Sequence, residues 1–196
     1  MQLQKIVFVA VIAVIAVSCV STTPKEGISR PTEWAVSIQK PGLPNFYKVS
    51  DDLYRGAQPT AAGIAQLKSM GIKTIIDLRA IHSDKNEIGN TQIGYEHIGT
   101  QAWDINEEDI IKFLKIVTDK EKTPAFVHCQ RGADRTGFMV AIYRVAVCGW
   151  SKESAIDEMT HGGYEFSPLW GNLVDNVMKL DVEKIKGKAG LENPSN

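Results

Sequence analysis

The run His128-Cys129-Gln130-Arg131-Gly132-Ala133-Asp134-Arg135-Thr136-Gly137 constrains the fold of this chain more than any other segment. A cysteine and an arginine stand at the two ends of a loop with five residues between them. Pro124-Ala125-Phe126-Val127 before it reads as a short buried strand, and the residues from Arg135 to about Val147 after it read as an apolar helix. A strand that turns through a glycine-bearing loop into a helix N-terminus is an anion cradle, because the loop and first-turn N–H groups point inward without a partner. The helix dipole adds about half a positive charge at that spot. A cysteine there ionises readily, and the thiolate is the reactive form. Arg135 adds a planar fork that matches two phosphate oxygens. Taken alone, a cysteine after a strand is usually a small buried hydrophobe, and a glycine between strand and helix is usually turn chemistry. The conjunction of His-Cys, the spaced Arg, a hydroxyl residue and Gly favours chemistry over both.

The rest of the chain supplies a scaffold for such a loop. Phe46 to Val49 and Leu53 to Arg55 read as short strands around the Ser50-Asp51-Asp52 turn. Thr60 caps a helix with apolar Ile64, Leu67 and Met70, and Gly71 ends it. Lys73 to Leu78 is a β-branched buried strand, residues 80–92 are polar and irregular, and Tyr95 to Ile98 is a further strand. Asn106 caps a helix with Glu107, Glu108 and Asp109 in its first turn, where they complement the dipole. Ser151 caps another through about Met159, His161-Gly162-Gly163 breaks it, and a last helix is expected from about Pro168 to Ile185. Strands alternating with helices imply a single α/β domain, a central, mostly parallel sheet flanked by helices. The 196 residues suffice for one such core, and a net charge of −1 does not suggest a nucleic-acid surface.

The N-terminus is of another kind. A short basic start, the apolar run Ile6 to Val17 and small residues before Cys19 describe a secretory signal over residues 1–18. The run is short for a membrane span. Residues 19–42 read as a flexible tether, 43–187 as the domain and 188–196 as a tail. The three cysteines, Cys19, Cys129 and Cys148, show no metal-ligand spacing. Cys148 lies on the helix after the loop, about 20 Å from Cys129 at helical rise, too far for a disulfide.

His128-Cys129, the spacing to Arg135-Thr136-Gly137, Leu53-Tyr54-Arg55-Gly56-Ala57-Gln58-Pro59, and Gly71-Ile72-Lys73-Thr74-Ile75-Ile76-Asp77-Leu78-Arg79 together resemble the cysteine-dependent protein tyrosine and dual-specificity phosphatases. The likeness is to their compact atypical members of plant, fungal and exported bacterial type, and runs from about Phe46 to Lys184. It implies the phosphatase fold, with no cofactor and no metal. Cys19 similarly resembles the lipid-accepting cysteine of bacterial lipoproteins, although Ala16 stands where leucine is usual. Cleavage after Ser18 and a retained anchor stay open, and all three put the domain outside the cytoplasm, on the periplasmic side of a bacterial envelope. Val20 and Ser21 after Cys19 look like outer-membrane sorting.

The expected chemistry follows. Cys129 attacks phosphorus, and Arg135 with the N–H groups of Gln130, Arg131, Gly132, Ala133, Asp134 and Arg135 holds the equatorial oxygens. A leaving oxygen needs a proton, so an acid is sought on a loop able to fold over the cradle. Asp104 is the candidate, and the resemblance places the family's general acid there. Glu107, Glu108 and Asp109 are alternatives better explained as first-turn residues. Trp103 is read as a core anchor in preference to a pocket wall. His128 orients the loop, and Thr136 donates to the departing thiolate. Arg55, Gln58 and Arg79 either border the site or serve as structural hydrogen-bonding residues. A single Arg131 and the negative Asp134, unless it points outward, disfavour a polyphosphorylated ligand. The expected substrates are therefore phosphoproteins, phosphotyrosine first with phosphoserine or phosphothreonine beside it, acted on by a monomer. A phosphate-binding module without turnover and a sulfurtransferase are the competing readings.

Overall fold

The computed structural model describes residues 30–191, so Cys19 and the expected signal segment lie outside the described residues. No helix among the described residues is long and apolar enough to cross a membrane. The strands are β1 (Val36–Ser37), β2 (Tyr47–Lys48), β3 (Leu53–Gly56), β4 (Thr74–Arg79), β5 (Gly94–Thr100) and β6 (Ala125–His128). They form one sheet in the order β1-β2-β3-β6-β4-β5. The first three pair antiparallel, while β3, β6, β4 and β5 run parallel. This is the mostly parallel α/β sheet expected from the alternation of elements.

The crossover segments carry helices α1 (Ala61–Ser69), α2 (Lys85–Ile88) and α3 (Glu107–Thr118). After β6 come α4 (Asp134–Ala146), α5 (Lys152–His161), α6 (Gly171–Lys179) and α7 (Val182–Ala189). Thr60, Asn106, Ser151 and Asp181 cap their helices through side-chain oxygens, which satisfies first-turn N–H groups. The β6 residues Ala125, Phe126 and Val127 are fully buried because both faces of the sheet are covered. Ile64, Leu67 and Ile75 pack with Phe126 on the α1 side. Phe113, Leu114, Phe138 and Ile142 pack with Val127 on the other.

Several boundaries differ from expectation. The tether does not run to residue 42: Ala35 is 1% exposed and Trp34 8%, and β1 joins the sheet edge. A two-residue strand is too short to show a period, so this seating is invisible in sequence. The single helix expected from 168 to 185 is a 3-10 turn at Pro168–Trp170, then α6 and α7. Asp181, whose side chain accepts from the Lys184 N–H at 3.1 Å, restarts the helix there. Helix α7 reaches Ala189, inside the expected tail. The segment 80–92 contains the single turn α2. Cys129 and Cys148 are free thiols, Cys148 exposed just past the end of α4.

Candidate active site

Strand β6 ends at His128 and α4 begins at Asp134, so residues 129–133 cross between them at the C-terminal edge of the parallel strands. Open α/β sheets hold ligands at that edge. The carbonyls of this loop are all bonded outward. Gln130 O accepts from the Gln58 N–H at 3.3 Å. Arg131 O accepts from Asn45 Nδ2 at 2.9 Å. Gly132 O and Ala133 O accept from Arg55 Nη2 at 2.8 and 3.4 Å. Carbonyls turned outward turn their neighbouring amides the other way. The N–H groups of residues 130–135 accordingly donate to no acceptor among the described residues. Gly132 permits the turn: its φ is +71°, and a Cβ there would fall 2.3 Å from the Gly56 carbonyl carbon.

Cys129 opens this ring of amides, 3% exposed and backed by the apolar core on the α4 side. Arg135 is half-buried, and its Nη1 donates to Leu78 O at 3.2 Å and Thr100 O at 3.0 Å. Those carbonyls lie at the ends of β4 and β5, so one arm of the guanidinium is pinned to the scaffold. Its Nε and Nη2 donate to nothing among the described residues and are left for a ligand. The Thr136 hydroxyl is buried and without a partner among the described residues, so the hydrogen bond expected toward the Cys129 sulfur is not formed in this structure. Asp134 is spent elsewhere: it accepts from the Ser167 N–H at 2.8 Å and from Arg131 Nη2 at 3.3 Å. Its charge therefore faces segment 165–167, which is the outward alternative. Arg131 is held there too, donating to Glu165 O at 3.1 Å.

His128 is fully buried, its Nδ1 3.4 Å from Cys129 O and its Nε2 2.6 Å from Asp84 Oδ2. Asp84 also accepts from Gln58 Nε2 at 2.5 Å, and Gln58 Oε1 accepts from Arg79 Nη1 at 2.9 Å. Burial pushes the Asp84 carboxyl up, but His128, Gln58 and nearby His82 outweigh it and hold it below the usual carboxylate range. A full negative charge thus faces His128 Nε2, which assigns the proton to that nitrogen. Asp84 was missed by sequence reasoning because it sits in a polar stretch without a period. Its one signal is a position just before α2, where an aspartate should cap, yet it makes no cap hydrogen bond. Gln58 and Arg79 are therefore structural supports of this network.

Asp77, His82 and Asp84 bring three potential metal-ligand atoms within 4.8 Å of one another. Their oxygens are already engaged: Asp77 accepts from the Arg79 N–H at 2.8 Å and from Tyr95 O–H at 3.0 Å. Asp84 is occupied as described, so the cluster reads as a hydrogen-bonded support of the loop.

Asp104 lies in the exposed turn after β5, its N–H bonded to Gln101 O at 3.0 Å. This turn starts at Thr100, whose carbonyl Arg135 grips, and is anchored by Asn172 Nδ2 on Ala102 O at 2.9 Å. Of the alternative acids, Glu107 pairs with Lys184 at 2.6 Å and with Lys188. Asp109 forms a capping box with Asn106. Trp103 is not a core anchor: it is 66% exposed and stacks on Trp170 with ring centroids 6.2 Å apart. A tryptophan beside a strand end reads as core, and only the placement of Trp170, partly buried just before α6, gives it a stacking partner at the surface.

Residues 43–167 match the family model described as DSP-PTPase phosphatase fused to NAD+ kinase. The dual specificity protein phosphatase TpbA of Pseudomonas aeruginosa is 31% identical over 137 residues, covering 69% of this chain and 62% of that protein. The inositol diphosphatase DSP2 of Oryza sativa is 30% identical over 135 residues, 65% of each. The chain thus spans under two thirds of the length of these curated relatives. The crystal structure of TpbA superposes with a TM-score of 0.74 at 28% identity, covering 84% of this chain and 100% of the other. A TpbA structure in complex with pTyr matches with the same TM-score of 0.74. The loop and its outward-bonded carbonyls fall within the matched residues, and this chain belongs to the DSP-PTPase family of phosphatases.

Proposed function

We propose that this protein hydrolyses phosphotyrosine in proteins, with phosphoserine or phosphothreonine as lesser substrates, through a cysteinyl-phosphate intermediate. The observation that carries this reading is the outward bonding of four consecutive carbonyls, residues 130–133, which leaves a ring of unpartnered amides after Cys129. Such amides, the α4 N-terminus and the open arm of Arg135 suit a tetrahedral dianion. The Cys129 sulfur attacks phosphorus in line, so an S–P bond forms as the ester P–O bond breaks. Asp104 gives its proton to the leaving oxygen. Its exposed turn begins at Thr100, whose carbonyl Arg135 holds, which keeps the acid on the same edge of the sheet as the cradle. Water then attacks phosphorus, Asp104 takes its proton, the S–P bond breaks and inorganic phosphate leaves. The Thr136 hydroxyl, lacking a partner, is suited to receive the departing thiolate.

Aromatic substrates are favoured by the exposed Trp103 ring, stacked on the partly buried Trp170 beside the Asp104 turn. It offers a ring face to a phenyl group. The pTyr bound by the relative TpbA supports the same choice. The inositol diphosphatase named among the relatives defines the competitor. Arg131, the one extra cation of the loop, is already engaged by Glu165 O and Asp134. Asp104→Asn is expected to slow phosphotyrosine peptide turnover by about 10²–10⁴-fold while sparing vanadate binding. Steady-state kinetics on that peptide beside an inositol pyrophosphate tests both points. Unchanged rates would remove the acid role, faster inositol pyrophosphate turnover would reassign the substrate, and tight binding without turnover would leave a binding module.

We also propose that the domain is exported and tethered to an envelope membrane through a lipidated Cys19. The support is the basic start, apolar run and small residues of positions 1–18. Mass spectrometry of the mature N-terminus is expected to find a diacylated Cys19. An unmodified new N-terminus would mean simple secretion, and an intact Met1 an uncleaved anchor.

A further inference from the structure

Arg55 is fully buried at the end of β3, in parallel register with Val127 of β6, beneath the loop. Its Nη2 holds Gly132 O and Ala133 O, and its guanidinium lies 3.7 Å from the centroid of the Tyr164 ring. Its Nε and Nη1 are buried and have no partner among the described residues. No carboxylate among the described residues pairs with it. Glu158 lies on the same side but is taken by Arg144, through Nε at 2.7 Å and Nη2 at 2.9 Å. Glu158 also accepts from the Ala35 N–H at 2.7 Å and Tyr164 O–H at 3.0 Å. The buried set of Arg55, Arg144 and Glu158 therefore holds two cations and one anion. Burial pulls the Arg55 pKa below the usual guanidinium range, and Tyr164, Glu158 and then Cys129 oppose that pull. A buried cation without an anion is costly, so something must offset it. The thiolate of Cys129 is the anion that would complete the balance.

We propose that Arg55 is a positioning residue for Cys129: it turns the 132 and 133 carbonyls outward, and its charge beneath the loop keeps the sulfur ionised. This rests on the phosphatase reading of the loop. The charged and titratable groups around the pair are Tyr164, Glu158 and Tyr47 about Arg55, and, along the strand end and loop that carry Cys129, His128 backed by Asp84, Arg131 paired with Asp134, and Arg135.

The test is alkylation of Cys129 by iodoacetate as a function of pH, read on the Cys129 peptide by mass spectrometry in the full chain. Arg55→Met is expected to slow alkylation at about pH 6 at least tenfold and to move the rise in rate to higher pH, with rates converging in alkali. Arg55→Lys, which keeps the charge and loses the fork, is expected to keep the pH profile while KM for an aryl phosphate rises about fivefold or more. A folded Arg55→Met variant with an unmoved profile overturns the charge role. Where that variant does not fold, a folded Arg55→Lys variant whose profile has moved to higher pH overturns it instead. Aryl phosphate turnover by the unaltered protein is measured alongside. Its absence would sink the phosphatase reading, whereas turnover with an unmoved alkylation profile sinks only the role of Arg55.

Discussion

Replacing Cys129 with serine is expected to cut aryl phosphate turnover by about 10⁴-fold or more while leaving the fold intact. A serine hydroxyl is almost wholly protonated near neutral pH, so the reactive anion is missing. The nucleophile is lost while the binding ring is kept, because the outward hydrogen bonds of residues 130–133 involve Gln58, Asn45 and Arg55 and not the sulfur. The exchange is nearly isosteric at a site that is 3% exposed, so little packing is lost. Turnover of a chromogenic aryl phosphate, thermal melting and vanadate binding measure the three consequences. A serine variant that retained more than a tenth of the activity would remove Cys129 from the chemistry. One that lost vanadate binding along with activity would mean that the sulfur shapes the cradle rather than attacking from it.

The second large effect concerns stability. Glu158→Ala is expected to destabilise the protein by about 3–5 kcal/mol, because breaking a buried pair leaves an uncompensated charge. Glu158 is 1% exposed and Arg144 4%, and their two hydrogen bonds are joined by those from Ala35 N–H and Tyr164 O–H. Removing the carboxylate therefore strands a guanidinium, an amide and a phenol together. For a domain of this size the loss corresponds to a fall in melting temperature on the order of 10 °C. A melt within about 2 °C of the parent would show that solvent reaches this pair. The variant should also weaken the seating of residues 30–37, since Ala35 loses its acceptor and Arg144 Nη2 also holds Glu33 O at 3.2 Å.

Much of the architecture was legible along the chain. Thr60, Asn106 and Ser151 announce helix starts because a side-chain oxygen caps only the residues just after it, and each does so in the structure. The buried strand before Cys129 was legible because it lies between covered faces and is apolar throughout. What the chain hid depended on distance. Asp84 and His128 lie 44 residues apart, and no local pattern links them. Arg55 and Gly132 are 77 residues apart and meet only because β3 and β6 pair in parallel. Trp103 reads as core for the same reason: its aromatic partner is Trp170, which the 3-10 turn after α5 brings alongside, and the ring stays 66% exposed. The tether boundary failed because two residues of strand carry no period, although Trp34 and Ala35 are buried.

The sequence by itself determined the loop, its cysteine and its arginine, because spacing within one turn of chain is a local property that backbone geometry converts directly into a cradle. It also determined the alternation of strand and helix, since period and caps act over a few residues. Only the tertiary structure decided which way the loop carbonyls face, where the Asp134 charge goes and which buried cation holds the Gly132 and Ala133 carbonyls. Those outcomes depend on donors arriving from Asn45, β3, Gln58 and the segment before α6. Hydrogen bonding and charge balance in a buried site are settled by whatever the fold brings within about 3 Å, and sequence separation carries no information about that.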